Sequence, residues 1–409
     1  MTNSLKRLLM MNVSSSIIFN YMGIFINLFI WEKGQQIFDV AWFNLVMFVA
    51  WGIAFMYGAK LLSRFTIGSV MRVSAICAGA TFILLSWVHV EPKLFYLTLI
   101  ALPVGITNGF YSAAQNIGIS LFGKGKEFTA FFSATNVFGQ IIAFINPLLF
   151  ALIIQGIGFT GSFLVMFVFI GLMIVASYYV PRISLKEASE PVFKMFGIGQ
   201  VFSTPSLKWM IPSLIAGGFF IQFQGIFSLI FTFSVTKDKL SIALLQIMYT
   251  AFTVACVFVY RRLSRSHRIH DSWWLTFGMI AAAAGFLLAL FPTPPILIVS
   301  NILTTVGLFF FFTIWSARQF IATNKLSPVH QARIMVWREL ILVFSRIIML
   351  ALILGIANFQ GFAFKAVMIF SFASALLIPY FSKKAKVEED IAPVVHHSPG
   401  QVSTDIADH

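Results

Sequence analysis

The sequence predicts an all-α membrane protein of twelve transmembrane helices arranged as two pseudo-symmetric six-helix bundles. Three observations predict it. Of 409 residues, 59% are hydrophobic and only 10% charged, at a mean hydropathy of +0.90, whereas soluble domains carry about 25% charged residues. Twelve apolar runs are long enough to cross a hydrocarbon core of about 30 Å. The second six runs echo the first at a nearly constant offset, the mark of a duplicated bundle.

The first six runs fall at 12–31, 38–58, 70–88, 94–122, 128–154 and 160–180. Lys6 and Arg7 precede the first run as they would a signal peptide, but its length and lack of a small-residue cleavage site keep it as a membrane anchor. Residues 182–208 form the longest polar connection and part an N-terminal bundle, 1–181, from a C-terminal one, 209–382. The second set follows at 210–233, 241–260, 272–291, 295–323, 332–357 and 362–381. Before its fifth run, Ser327-Pro328 reads as an N-cap with proline at the first helical position. The tail, 383–409, has no apolar periodicity and reads as disordered.

The net charge is +14, yet nucleic-acid binding needs basic residues gathered on one solvent face, and here they lie in short loops between apolar runs. Cytoplasmic loops hold the excess of Lys and Arg. Placing both termini in the cytoplasm puts twenty basic residues on that side, five on the other and three arginines inside helices. Cys77 and Cys256 sit in separate apolar runs, far from any Cys/His cluster, so neither a disulfide framework nor a metal site is indicated. No sequence motif for a cofactor is present. The expected partners are the lipid bilayer and a small solute, with a coupling proton in one reading, and the expected state is a monomer. Short connections without a disulfide-bearing loop favour a bacterial inner membrane.

The repeat is visible residue by residue. Lys60-Leu61-Leu62-Ser63-Arg64 after the second run matches Arg261-Arg262-Leu263-Ser264-Arg265 after the eighth, an offset of 201. Gly23-Ile24-Phe25 matches Gly225-Ile226-Phe227, and Ser112-Ala113-Ala114-Gln115 matches Ser316-Ala317-Arg318-Gln319. Phe138-Gly139-Gln140 matches Phe344-Ser345-Arg346 at an offset of 206. Twelve helices in two similar halves, joined by a longer loop, resemble the major facilitator superfamily across residues 10–382. The loop Gly58-Ala59-Lys60-Leu61-Leu62-Ser63-Arg64, followed by Gly68 and Arg72, is similar to the family's conformational loop and departs from it at Ser63, where members usually carry Asp. The resemblance implies a secondary transporter that alternates access, with helices 1, 4, 7 and 10 lining the cavity and 5 and 11 beside them.

A charge at helix centre costs about 2.5 to 3.5 kcal/mol on insertion scales and is kept with a partner or a task. The first nine runs have none in their interiors, and the tenth and eleventh hold Arg318, Arg338, Glu339 and Arg346. Glu339 is expected to pair with Arg318 or Arg338 as a cytoplasmic gate; the sharper reading makes it a proton carrier. Arg346 lies two turns deeper, with no second deep acid available to it. It either meets an anionic group on the solute, bonds a helix carbonyl, or serves the gate. Amides form a second set: Asn20 and Asn27 on the first helix, Asn108 and Gln115 on the fourth, Asn136 and Gln140 on the fifth, Gln222 and Gln224 on the seventh. Each either contacts solute or makes an interhelical hydrogen bond worth about 1 to 2 kcal/mol. Glu32, Lys33 and Asp39 are expected to be an exposed cluster at the outer end of the first hairpin.

An enzyme needs acid-base or nucleophilic groups at suitable depth, and apart from Glu339 and the arginines these are missing. The expected function is therefore secondary transport of a small solute, anionic or zwitterionic. The alternatives are efflux of neutral or lipophilic compounds by the same fold, or a non-transporting receptor.

Overall fold

The computed structural model describes residues 1–87, 92–124, 126–181, 202, 205–264, 271–323, 326–356 and 358–391. Among these residues the chain is helical throughout, without strands. The first six helices are α1 (Asn3–Gly34), α2 (Ile37–Leu61), α3 (Ile67–Trp87), α4 (Lys93–Phe122), α5 (126–157) and α6 (159–178). The second six are α7 (Met210–Val235), α8 (Lys239–Ser264), α9 (Asp271–Leu288), α10 (Pro294–Thr323), α11 (Pro328–Leu354) and α12 (Phe362–Ile391). Nine stretches of the described residues are long and apolar enough to cross a membrane, one of them the run Ala130–Tyr178 that holds most of α5 and all of α6. The 26 residues of α7 reach about 39 Å at 1.5 Å per residue, beyond the hydrocarbon thickness.

Apolar side chains face both the interior and the surrounding medium, as lipid exposure requires. Phe55, Phe82, Phe150 and Phe220 are fully buried, while Tyr57, Val168, Phe258 and Phe344 stand exposed on the outer faces. α5 and α6 meet at Gly158, whose φ of 72° is the left-handed conformation open to glycine. That break falls in the gap expected between the fifth and sixth runs.

Two ends differ from expectation. α1 begins at Asn3, nine residues early, because Leu5, Leu8 and Met11 recur at helical spacing and are buried. α12 runs on to Ile391, so the first part of the expected disordered tail is helix. Lys384 anchors this extension, its Nζ lying 4.3 Å from the Trp209 ring centroid, in a stretch rich in the helix formers Lys, Ala and Glu. Residues 392–409, and most of the connection 182–208, lie outside the described residues. Ser327 caps α11 as expected, accepting the His330 N–H at 3.4 Å with Pro328 at the first position.

The halves meet along two seams, α2 with α11 and α5 with α8, and α4 also touches α11. α1 and α10 each contain a five-residue π-helical turn, Met22–Ile26 and Phe311–Trp315. Such turns widen the helix locally and recur at functional sites.

Candidate functional site

The site is built from the packing of α2 on α4. A Cβ at Gly105 would stand 2.2 Å from the Met47 carbonyl oxygen, and one at Gly109 2.5 Å from that of Trp51. Two glycines four residues apart thus let the helix backbones touch, the small-residue packing used inside membranes. α11 packs less closely on α2, where a Cβ at Gly52 would meet the Val343 side chain at 3.0 Å, and closely on α7, where one at Gly218 would meet Ser345 at 2.6 Å. Phe48, Trp51 and Arg346 are fixed by these contacts.

Arg346 stacks its guanidinium 5.0 Å from the Phe48 ring centroid and 5.4 Å from that of Trp51. Its side chain is 8% exposed. Its Nε and the Trp51 indole Nε1 are both buried donors without a hydrogen-bond partner among the described residues. Buried donors are normally satisfied, and these two belong to one stack between α2 and α11. Counting along α11, Arg346 stands about 27 Å from the helix start, well inside the bilayer span.

Toward the start of α11 lies a second cluster. Arg338 Nη1 pairs with Glu339 Oε2 at 3.4 Å, and both residues are buried. Asn116 of α4 donates to the same Glu339 oxygen at 3.4 Å, a bond between the halves. Arg338 Nε donates to Gln319 Oε1, and its guanidinium faces the rings of Phe320 and Trp315. Phe320 in turn packs on Phe128 and Phe132 of α5, with centroids at 5.8 and 5.1 Å. The cluster joins the two halves toward the end carrying the basic loops. Arg338, Glu339 and Arg346 together leave one positive charge without an acid in this core.

Of the two pairings expected for Glu339, the one that forms is with Arg338. Arg318 instead donates to Ser272 of α9 at 2.8 Å and Ser382 of α12 at 3.0 Å, on the other side of α10. Asp39 also departs from expectation. It is buried and ion-paired with Lys93 of α4 at 2.5 Å rather than exposed, because α2 and α4 begin side by side. Trp31 of α1 lies 6.1 Å from Phe233 of α7, centroid to centroid, at this opposite end.

The amides divide. Asn27 accepts from Asn44 at 2.8 Å and donates to the Gly23 carbonyl, Asn20 accepts from Asn146 at 3.1 Å, and Asn108 donates to the Val104 carbonyl of its own helix. All of these bonds lie within the first six helices. Asn136 donates to Thr313 Oγ1 at 2.7 Å, from α5 to the π-helical turn of α10. Gln115 is buried with its Oε1 unpartnered among the described residues, and Gln222 and Gln224 are buried on α7. Gln140 lines a groove on the outer face. Near the end of α2 Gly58 packs on Phe110 and Ala113, and in the loop after it Ser63 donates to the Lys60 carbonyl and Arg64 is exposed. In its repeat Arg262 is exposed, whereas the side chains of Arg261 and Ser264 and all of Arg265 lie outside the described residues.

Phe48, Trp51, Asn116 and Gln319 were not singled out from the sequence. Asn116 adjoins Gln115 and Gln319 adjoins Arg318, so polarity beside a candidate was the available signal for those two. Phe48 and Trp51 carried none among 48 phenylalanines and nine tryptophans.

The family model of the Major Facilitator Superfamily matches residues 8–349. Among solved structures, a POT family transporter in complex with 5-aminolevulinic acid superposes with a TM-score of 0.68 at 14% identity, covering 93% of this chain and 96% of that one. The nucleoside transporter NupG superposes at 0.60 and 12% identity, over 94% and 100%. A bacterial homologue of the iron transporter ferroportin, in an outward-facing state, does so at 0.65 and 14%, again over 94% and 100%. Identities this low carry the fold alone. Among curated proteins none matches the chain significantly.

Proposed function

The chain belongs to the Major Facilitator Superfamily, integral membrane transporters and not enzymes, and from that premise we propose that it carries a small anionic or zwitterionic solute by alternating access, with Arg346 as the solute's counter-charge. The observation that carries this reading is the buried guanidinium held between Phe48 and Trp51 with its Nε unpartnered. A desolvated cation is costly unless compensated, and the two buried acids among the described residues are both engaged, Glu339 by Arg338 and Asn116 and Asp39 by Lys93. A carboxylate or phosphate on the solute meets the missing acceptor with a charge-assisted bond.

The Arg338–Glu339–Asn116 cluster is the gate in this scheme; the alternative reading makes Glu339 the carrier of a coupling proton. The basic end of the bundle is cytoplasmic and the membrane a bacterial inner membrane, with the protein acting as a monomer. The walls beside Arg346 are aromatic, which favours a second reading in which the solute is a neutral or lipophilic compound and Arg346 is structural.

Thermal stabilisation separates the two, since a ligand that binds the folded state raises its apparent stability. Small carboxylates and phosphates are expected to stabilise the purified protein and to lose that effect in Arg346→Ala. Stabilisation by neutral or lipophilic compounds alone, equal in both proteins, overturns the anionic reading.

A further inference from the structure

The repeat maps one inter-half seam onto the other, for Phe138-Gly139-Gln140 on α5 aligns with Phe344-Ser345-Arg346 on α11. The two seams are filled differently. At α2–α11, Arg346 covers Phe48 and Trp51 and Val343 presses on Gly52. At α5–α8, Gln140 borders a groove of about 260 Å³ walled by Val137, Ile141 and Phe144 of α5 and by Val257 and Phe258 of α8. Ile141, Phe144 and Phe258 are 48%, 46% and 70% exposed, so the groove opens sideways onto the face that meets lipid.

The groove is polarised along its length. Toward the basic end it adjoins a small recess that shares Val137 and Val257 and is lined by Ser133, Asn136, Tyr260 and Thr313. Tyr260 is braced edge-on by Trp274 and Phe310, which fixes that wall. Lys124, just before α5, and Arg262, in the last turn of α8, are exposed at the same end. Between Val137 and Ile145 the groove runs about 12 Å along α5, close to the roughly 15 Å depth of one leaflet's hydrocarbon.

We propose that this seam is a lipid-binding site for one acyl chain of an anionic phospholipid, drawn from the leaflet at the basic end. The chain lies along the valines and phenylalanines, the ester region reaches the Ser133–Asn136–Tyr260 recess, and the phosphate sits by Arg262 and Lys124. Three observations converge on this occupant: the apolar lining without a charged side chain, the small recess of about 10 Å³ beside it with hydroxyl and amide groups in its walls, and the cations beyond it, which attract anionic headgroups. The anionic solute of Arg346 does not fit a groove without a cation along its walls, so the site is independent of the transport reading. Because α5 and α8 belong to opposite halves, the bound chain bridges the surfaces that must part when the halves rock.

The test is native mass spectrometry of the full chain in mild detergent with phosphatidylglycerol or phosphatidylcholine. Wild type is expected to keep one phosphatidylglycerol after the other lipids are stripped. Val257→Phe and Val137→Phe, which fill the groove, are expected to cut that retained fraction at least about fivefold while leaving lipid-free Tm unchanged or higher. Arg262→Gln is expected to lower the preference for phosphatidylglycerol by roughly fivefold and leave chain binding in place. Retention as in wild type by both valine variants overturns the site, and equal retention of the two lipids by wild type, as for an adventitious annular lipid only, overturns the anionic assignment.

Discussion

Arg346 of α11 lies 5.4 Å from the indole centroid of Trp51 of α2, so a buried cation is one of the contacts that join the halves of the bundle at this seam. A desolvated cation–π contact is worth about 2 kcal/mol, while the effective cost of burying an ion is several kcal/mol. The aromatic pair therefore orients the guanidinium without neutralising it. In the proposed function the remainder is supplied by the anionic group of the solute.

Removing the cation should separate binding from stability. Arg346→Ala is expected to lose solute binding more than tenfold, about 1.4 kcal/mol, while its Tm stays level or rises because an uncompensated buried charge has gone. Trp51→Phe keeps the stack and deletes the indole N–H, and one hydrogen bond of about 1 kcal/mol corresponds to a three- to tenfold weaker Kd. Calorimetric titration of both variants checks this; a large fall in Tm for Arg346→Ala would mark the arginine as structural.

The Arg338–Glu339 pair should behave oppositely, because each partner is buried and each needs the other. Glu339→Gln leaves Arg338 and Arg346 together without an acid and is expected to cost about 3 to 5 kcal/mol. Adding Arg338→Met removes one of the two stranded charges and should restore much of the loss. Denaturation of the single and double variants gives the coupling directly. If Glu339 also carries the coupling proton, the double variant should exchange solute across vesicles yet fail to accumulate it under a pH gradient.

The fold was legible because its signal is long: twelve apolar runs, a repeated register and loop arginines all act over tens of residues. The Ser327-Pro328 cap was readable as local backbone chemistry, and the break at Gly158 fell in an expected gap although the glycine itself was not singled out. The ends of α1 and α12 were not, since Leu5, Leu8 and Met11 continue a helix through packing rather than through hydrophobic density. In the site, Arg346, Arg338 and Glu339 announced themselves as charges in apolar surroundings. Their neighbours did not, because Trp51 meets Arg346, and Asn116 meets Glu339, only once two distant helices are packed. The choice of Arg338 over Arg318 as partner likewise depends on which side of α10 each faces.

A pH effect is expected at the start of α8. Asp238, fully exposed, accepts the Ser241 N–H at 2.9 Å and its hydroxyl at 2.8 Å, which hold its carboxyl below the usual carboxylate value. A lowered folded pKa means the cap contributes fully above the unfolded value of 3.8 and is lost as pH falls through the folded one. At neutral pH, Asp238→Ala should speed hydrogen exchange at the Ser241 amide several-fold. The difference from wild type should vanish in acid.

The closest approach in the site, α4 against α2, yields the sharpest test of how the fold positions its chemistry. A Cβ at Gly109 would lie 2.5 Å from the Trp51 carbonyl oxygen and 2.6 Å from the Ala54 Cβ, both on the rigid wall of α2. Neither neighbour is the flexible end of a long side chain, so Gly109→Ala must push the helices apart, at about 1 to 3 kcal/mol for overpacking. The displaced wall carries Trp51, so the variant should also weaken solute binding although residue 109 touches no solute. Gly225→Ala is the matched control: a Cβ there meets nothing within 4 Å, and in a helix interior alanine is favoured over glycine by up to about 1 kcal/mol. Gly109→Ala is therefore expected to lower both Tm and affinity, and Gly225→Ala neither. A loss of stability with unchanged affinity would mean that Arg346 and its solute do not depend on the placement of Trp51.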